Sequence, residues 1–323
     1  MTRDTWLSER RSGLGSSDVP VILGLSPLTW GGPHRVWLAK HDALPPESPE
    51  PHLVYGQHAD GAILDYVAEA HGLTLLRQRN VAHRHETERW ALASPDSLLV
   101  RDGVPVGVVE AKNYGSGDGW GRDGDDADDE TVPAHVLAQT MHQMWVTGLR
   151  GESYIAASLW GRAPRLYPVR WDPSYETHVV PVLRAWWRRH IVEGEPPPVD
   201  ASDACARTLS LVYPGDPTRE RVQRDDLAEL AERVLAAKDE ARRADEAARL
   251  AENMLRAALA DDDRALAGAV SVTRVRQPGR ARLDGERLRE WLGGRWADAE
   301  QAATVIGAPY EYLMLRRRKA REG

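Results

Sequence analysis

Several things are scarce or missing in this 323-residue chain. A single cysteine, Cys205, excludes internal disulfides and any four-cysteine zinc or iron–sulfur site. That scarcity fits a reducing cytoplasm. No apolar run approaches the roughly 20 residues that a bilayer-spanning helix needs, so no membrane partner is expected. The opening stretch, Met1 to Arg11, is charged and lacks the apolar core of a signal peptide. Phenylalanine is absent while tryptophan numbers 12, an imbalance with no physical account. Lysine occurs only at Lys40, Lys112, Lys238 and Lys319 in a chain otherwise rich in arginine. Excess cationic charge is missing too. The net charge of −7 does not advertise a nucleic-acid binder, although binding depends on where charge sits rather than on its sum. Much of the negative charge lies in Asp118 to Glu130, read as a solvated loop, or else as an acidic flap that fends off misplaced DNA.

What is present concentrates around Glu110-Ala111-Lys112, at the end of the apolar run Val104 to Val109. In a strand, Glu110 and Lys112 point to the same side. Upstream stands Ser94-Pro95-Asp96, closing a short apolar segment from Trp90 to Ala93. A hairpin between that segment and the run is expected to bring Asp96 beside Glu110. Two carboxylates and an ammonium at a strand end can hold a divalent ion and steer a water at a phosphodiester. A lone Glu-x-Lys is a common, usually solvated tripeptide, and the upstream Pro-Asp is what raises its significance. Lysine kept here, in an arginine-rich chain, points to a need for a compact point charge.

The first part of the chain reads as helix, glycine turn, helix. Ser17 or Asp18 is expected to cap the short helix Val19 to Leu25. Exposed amides there, with Arg10 nearby, also suit a phosphate. His34 to Lys40 reads as a further amphipathic turn or two, Leu44 to His52 as loop, and Gly56 to His71 as a helix carrying Asp60. Leu73 to Ala82, Trp90 to Ser94 and Leu98 to Val109 supply strands, with Asp102-Gly103 as a hairpin turn. Val132-Pro133 opens a helix ending at Thr147-Gly148, with Gln139 and Gln143 on one face. Ser153 to Trp160 and Arg165 to Val169 read as strands, and Pro173 to Val192 as a helix. Three consecutive prolines near 196–198 mark a boundary, giving a core over 1–198 and an extension over 199–323. In the extension, about 225–260 forms one long helix with a heptad seam of leucine and alanine. The seam suits packing within the chain or contact with another subunit. A hairpin from Ala269 to Arg276, a short helix from Asp284 to Leu292 and a basic end at Leu315 to Lys319 follow. That basic end reads as a solvated tail or a DNA-backbone contact.

Taken in order, Arg10…Gly15-Ser16-Ser17-Asp18, Gly56-x-x-x-Asp60, Ser94-Pro95-Asp96, Glu110-Ala111-Lys112 and Val132-Pro133…Gln139…Gln143…Gly148 resemble the YqaJ-type phage recombinases. These are relatives of lambda exonuclease within the PD-(D/E)xK nuclease superfamily. The resemblance covers about residues 3–195. It implies an α/β (α+β) fold: a restriction-endonuclease-like core with a mixed central sheet flanked by helices, here followed by a helical C-terminal extension. It implies Mg²⁺ or Mn²⁺, and 5′→3′ resection of double-stranded DNA ends. By position, Asp96, Glu110 and the backbone carbonyl of Ala111 become metal ligands, with Asp60 bearing on the metal. Lys112 orients or activates water, and Gln139 stands on the helix beside the site. Arg10 and Ser17, with Ser16 secondary, resemble the grip on a terminal 5′ phosphate. Three positions depart from the family: Asp60 replaces a longer glutamate, Ser97 a glycine, and Gln143, a secondary site residue, a tyrosine common in the wider group. A single-strand-annealing partner and a homo-oligomeric ring, such as a trimer, are further implications. An endonuclease on the same core and a non-catalytic DNA-end-binding scaffold are the rival readings.

Overall fold

A computed structural model describes residues 3–45, 51–121, 131–216, 218–220, 222–275 and 284–303. The chain divides into two units, Met1–Gly215 and Asp216–Gly323.

The first unit begins with helices α1 (Arg3–Arg11), α2 (Val19–Ile22), α3 (Pro33–Lys40) and α4 (Pro51–His71). Strands β1 (Thr74–Arg77), β2 (His83–Arg84), β3 (Leu92–Ala93), β4 (Ser97–Arg101) and β5 (Val104–Tyr114) follow. Then come α5 (Ala134–Thr147), β6 (Ser153–Leu159), β7 (Arg165–Val169), α6 (Val180–Trp186) and α7 (Asp203–Val212). Wider helical turns flank α6 over Tyr175–Val179 and Trp187–Val192.

The central sheet has five strands in the order β1-β4-β5-β6-β7. The β5–β6 pair is parallel, and the β1–β4, β4–β5 and β6–β7 pairs are antiparallel. A parallel pair needs a long crossover, and α5 supplies it. The β4–β5 hairpin turns on Asp102-Gly103, both with positive φ (50° and 79°), as a primed turn requires.

Both faces of the sheet are covered, so β5 reads as a near-continuous apolar run. Leu98, Val108, Ile155 and Ala157 pack with Val136 and Met144 of α5. Leu99, Val109, Ala111 and Ala156 pack with Ile63, Leu64 and Val67 of α4. The alternation places Glu110 and Lys112 on the α5 face.

Three expectations change. Leu92–Ala93 pairs with β2, not with β5. The hairpin that carries Asp96 to Glu110 is built by β4, which Asp96 immediately precedes. Helix α7 lies beyond the triple proline yet belongs to the first unit, because Arg35 Nη1 donates to Thr208 Oγ1 at 3.1 Å and His34 Nδ1 donates to Pro197 O at 2.8 Å. Ser97 is ordinary paired strand, opposite Val109 and Arg77, so it does not need the backbone freedom of a glycine.

The second unit holds α8 (Ala228–Leu259), the hairpin of β8 (Arg264–Ala267) and β9 (Val270–Thr273), α9 (Gly285–Leu292) and α10 (Trp296–Ala303). Asp284 caps α9 by accepting from Glu286 N and Arg287 N. The hairpin turns at Gly268, earlier than the expected Ala269 start, and Gln277-Pro278-Gly279 lies outside the described residues. Seam residues Leu230 and Leu255 of α8 are exposed. The acidic stretch 122–130 and the basic end 315–319 lie outside the described residues. Among the described residues, no helix is long and apolar enough to cross a membrane.

Candidate functional site

Asp96, Glu110, Lys112, Gln139 and Gln143 meet between the end of β5 and the facing side of α5. Glu110 is almost wholly buried, and each of its oxygens is held. Lys112 Nζ donates to Oε1 at 2.6 Å, Gln139 Nε2 to the same oxygen at 2.5 Å, and Gln143 Nε2 to Oε2 at 2.7 Å. Lys112 Nζ also donates to Gln139 Oε1 at 3.0 Å. Helical spacing brings Gln139 and Gln143 to the same side of α5, and strand alternation brings Glu110 and Lys112 to the same side of β5.

Asp96 enters from the start of β4. Its Oδ2 accepts the backbone N–H of Ala111 at 2.8 Å, which ties it to the residue between Glu110 and Lys112. Burial, and then the charge of Glu110, push the Asp96 carboxyl well above its usual pKa. Asp60 stands on α4 and feels the same charges. Burial first and Glu110 second raise its pKa to about 6, against a smaller opposing pull from Lys112. Burial disfavours the Lys112 ammonium, but Glu110 and Asp96 outweigh that and raise its pKa.

The site thus sets three carboxyl groups about one ammonium. Its carboxylate oxygens are hard donors suited to Mg²⁺ or Mn²⁺. Among the described residues, no three His, Cys, Asp or Glu side chains form a ligand-sized cluster. Mg²⁺ is commonly held by one or two carboxylates, keeping several waters and taking substrate phosphate oxygens for the rest. Asp96 and Glu110 fit that pattern.

Two neighbours escaped the sequence reading. Tyr114 continues the Lys112 side of β5, and its hydroxyl shares a hydrogen bond with His135 Nε2 at 3.1 Å. The Tyr114 pKa is raised, first by burial; that of His135 is lowered, by burial and then by Lys112. Both sit where the periodicities place them, at residue 112 plus two on a strand and 139 minus four on a helix.

A second feature lies around α1–α3. Arg10 Nη2 donates to Ser17 Oγ at 2.8 Å, and neighbouring Ser16 is buried. Asp18 does not cap α2 with its side chain. Its carboxylate instead accepts from Gly15 N at 2.8 Å and pairs with Lys40 Nζ at 2.6 Å. Burial works against that carboxylate, but Lys40 and then Arg10 outweigh it and keep its pKa low. Arg10, Arg11 and Lys40, with Asp18 and Asp42, border a cavity of about 270 Å³. The cations outnumber the acids around it, as an anion pocket requires. The segment packs against α5, the helix that bears Gln139 and Gln143.

Residues 5–150 match the YqaJ-like viral recombinase domain. A protein of Bacillus subtilis (strain 168), named Uncharacterized protein YqaJ, is 26% identical over 218 residues, 66% of this chain and 64% of the relative. The match therefore spans less than two thirds of that relative's length. Among solved structures, an alkaline exonuclease (LHK-Exo) from Laribacter hongkongensis is 12% identical, with a TM-score of 0.45 over 59% of this chain and 93% of that one. LHK-Exo in complex with dAMP gives a TM-score of 0.46 at the same identity and coverage.

Proposed function

We propose that this chain, whose residues 5–150 match the YqaJ-like viral recombinase domain, is a metal-dependent deoxyribonuclease that resects linear duplex DNA from its ends in the 5′→3′ direction. The observation that carries the reading is the gathering of Asp96, Glu110 and Lys112 about the central strand β5, with two glutamines bracing Glu110. Polarity and end preference rest on the family resemblance.

Asp96 and Glu110, with the Ala111 carbonyl, are the residues that would hold Mg²⁺ or Mn²⁺. Such an ion, when bound, lowers the pKa of water and neutralises charge on a phosphodiester. The chain's own groups do the rest. Lys112 presents a cation beside Glu110, where it orients an attacking water and offsets charge building on the phosphate. Gln139 holds Lys112 and Glu110 together, since it donates to one and accepts from the other. Gln143 fixes the second carboxylate oxygen from the helix. The pocket beside Arg10 and Ser17 receives the terminal 5′ phosphate, which sets the end from which cutting proceeds. The DNA substrate then requires no membrane, and a cytoplasmic setting suits it.

The test is a digestion of linear and covalently closed circular duplex, with Mg²⁺ or with EDTA, each strand labelled separately. The expected result is nucleotide release from linear DNA only, with Mg²⁺ only, and from the 5′-ended strand. Cleavage of the circle makes the chain an endonuclease. No digestion under any condition leaves a DNA-end-binding scaffold.

A further inference from the structure

The turn joining β6 to β7 carries a feature that hydrolysis does not use. Trp160 and Gly161 both have positive φ, 54° and 69°. Primed turns favour asparagine, aspartate or glycine at these places. A bulky aromatic with positive φ is an outlier, and such outliers cluster at functional sites. Trp160 is also 52% exposed. It lies against Gly117, where a Cβ would come within 1.9 Å of its ring, so only glycine permits the approach. Arg162 sets its guanidinium carbon 5.6 Å from the ring centroid, and Arg165 lines the same small cavity.

The turn follows directly from the strand that pairs with β5. Trp160 N donates to Tyr114 O at 3.0 Å, and Ala157 of β6 pairs with Lys112. Tyr114 lies about 7 Å along the strand from Lys112. The geometry points to Trp160, with Arg162, as a stacking platform for an unpaired nucleotide of the DNA being processed. A half-open indole offers a π-face, and a guanidinium beside it offers charge to the backbone. A paired base hides its faces in the helical stack, so the occupant is single-stranded. The inference rests on the nuclease reading for its location, but its test does not need cleavage.

Binding of a labelled oligothymidylate is measured by fluorescence anisotropy in EDTA, on the full chain. Trp160→Ala is expected to weaken binding about ten-fold, and Trp160→Tyr to restore most of it. Blunt-duplex binding stays within about two-fold. Trp160→Asn relieves the turn, so its thermal unfolding temperature is not lowered, yet it binds the oligonucleotide as poorly as Trp160→Ala. A purely structural tryptophan predicts the opposite pairing, lower stability with unchanged affinity. The platform is overturned if both the Ala and Asn variants bind like wild type, or if wild type does not bind the oligonucleotide. Oligonucleotide binding without digestion of linear duplex by wild type leaves the platform standing and sinks the nuclease.

Discussion

Gln143 Nε2 lies 2.7 Å from Glu110 Oε2, so a neutral, fully buried amide fixes one oxygen of the carboxylate from the helix side. The other amide atom, Oε1, has no partner among the described residues. A hydrogen bond to a charged group contributes about 1.5–3 kcal/mol. Gln143→Ala is expected to cost about that much in denaturant unfolding, and to lower kcat roughly ten-fold by releasing the carboxylate. KM for linear duplex stays unchanged, since Gln143 is buried away from the DNA. A change confined to KM removes the positioning role.

Glu110→Gln keeps the volume and two of the neighbours but removes the charge. Lys112→Ala removes the ammonium that Glu110 meets at 2.6 Å. Each is expected to lower cleavage of linear duplex by at least about 100-fold, the scale of a lost acid–base or charge-stabilising group. DNA-end binding, read by a mobility shift in EDTA, stays near wild type, because Arg10 and the surrounding cations are intact. Wild-type cleavage by either variant refutes the site.

Arg10→Ala deletes the guanidinium that meets Ser17 Oγ at 2.8 Å. Its effect should depend on the end presented. A charge-assisted pair with phosphate is stronger than a neutral hydrogen bond, so 5′-phosphorylated ends lose about ten-fold in kcat/KM while 5′-hydroxyl ends change little. Comparing the two substrates in parallel decides it. Equal losses on both argue against a phosphate grip.

How far the sequence led is visible residue by residue. Glu110 and Lys112 were legible because a strand has period two, and Gln139 and Gln143 because a helix repeats near four. Asp102-Gly103 announced its own hairpin. Asp96 is legible only through the wrong strand: Trp90 to Ala93 looks as apolar as any sheet strand, and only tertiary pairing sets Leu92–Ala93, as β3, against β2. Asp18 carries the composition of a helix cap, yet Lys40, distant in sequence, takes its carboxylate. Asp60 reaches the site from the helix on the other face of the sheet, a relationship that local periodicity does not encode. The triple proline was a fair linker signal, but the Arg35–Thr208 bond extends the first unit past it.

Adding Mg²⁺ to metal-free protein should stabilise the fold by linkage, by about 2.7 kcal/mol at a hundredfold excess over Kd. For a unit of this size that shifts Tm by about 5–10 °C. The shift vanishes in Asp96→Asn and Glu110→Gln, and EDTA reverses it in wild type. A shift that persists in both variants moves the ion to another place.

Two buried groups should oppose each other in the acid dependence of stability. Burial lowers the His142 pKa from 6.5 to about 4, and its Nδ1 shares a hydrogen bond with Tyr175 Oη at 2.8 Å. The unfolded chain therefore binds more protons here between pH 4 and 6.5, and the fold loses stability as pH falls through that window. Asp60 does the reverse. Its pKa rises from 3.8 to about 6, so the folded chain holds the extra proton and stability falls as pH climbs from about 4 to 6. The variants separate the two. In EDTA, His142→Gln should flatten the acid loss, its stability relative to wild type rising as pH is lowered from 6.5 to 4. Asp60→Asn should gain on wild type as pH is raised from 4 to 6, because an amide carries no charge to desolvate. Urea unfolding at half-unit steps of pH reads both slopes. Parallel curves for wild type and either variant mean that the substituted group titrates alike in the folded and unfolded chain.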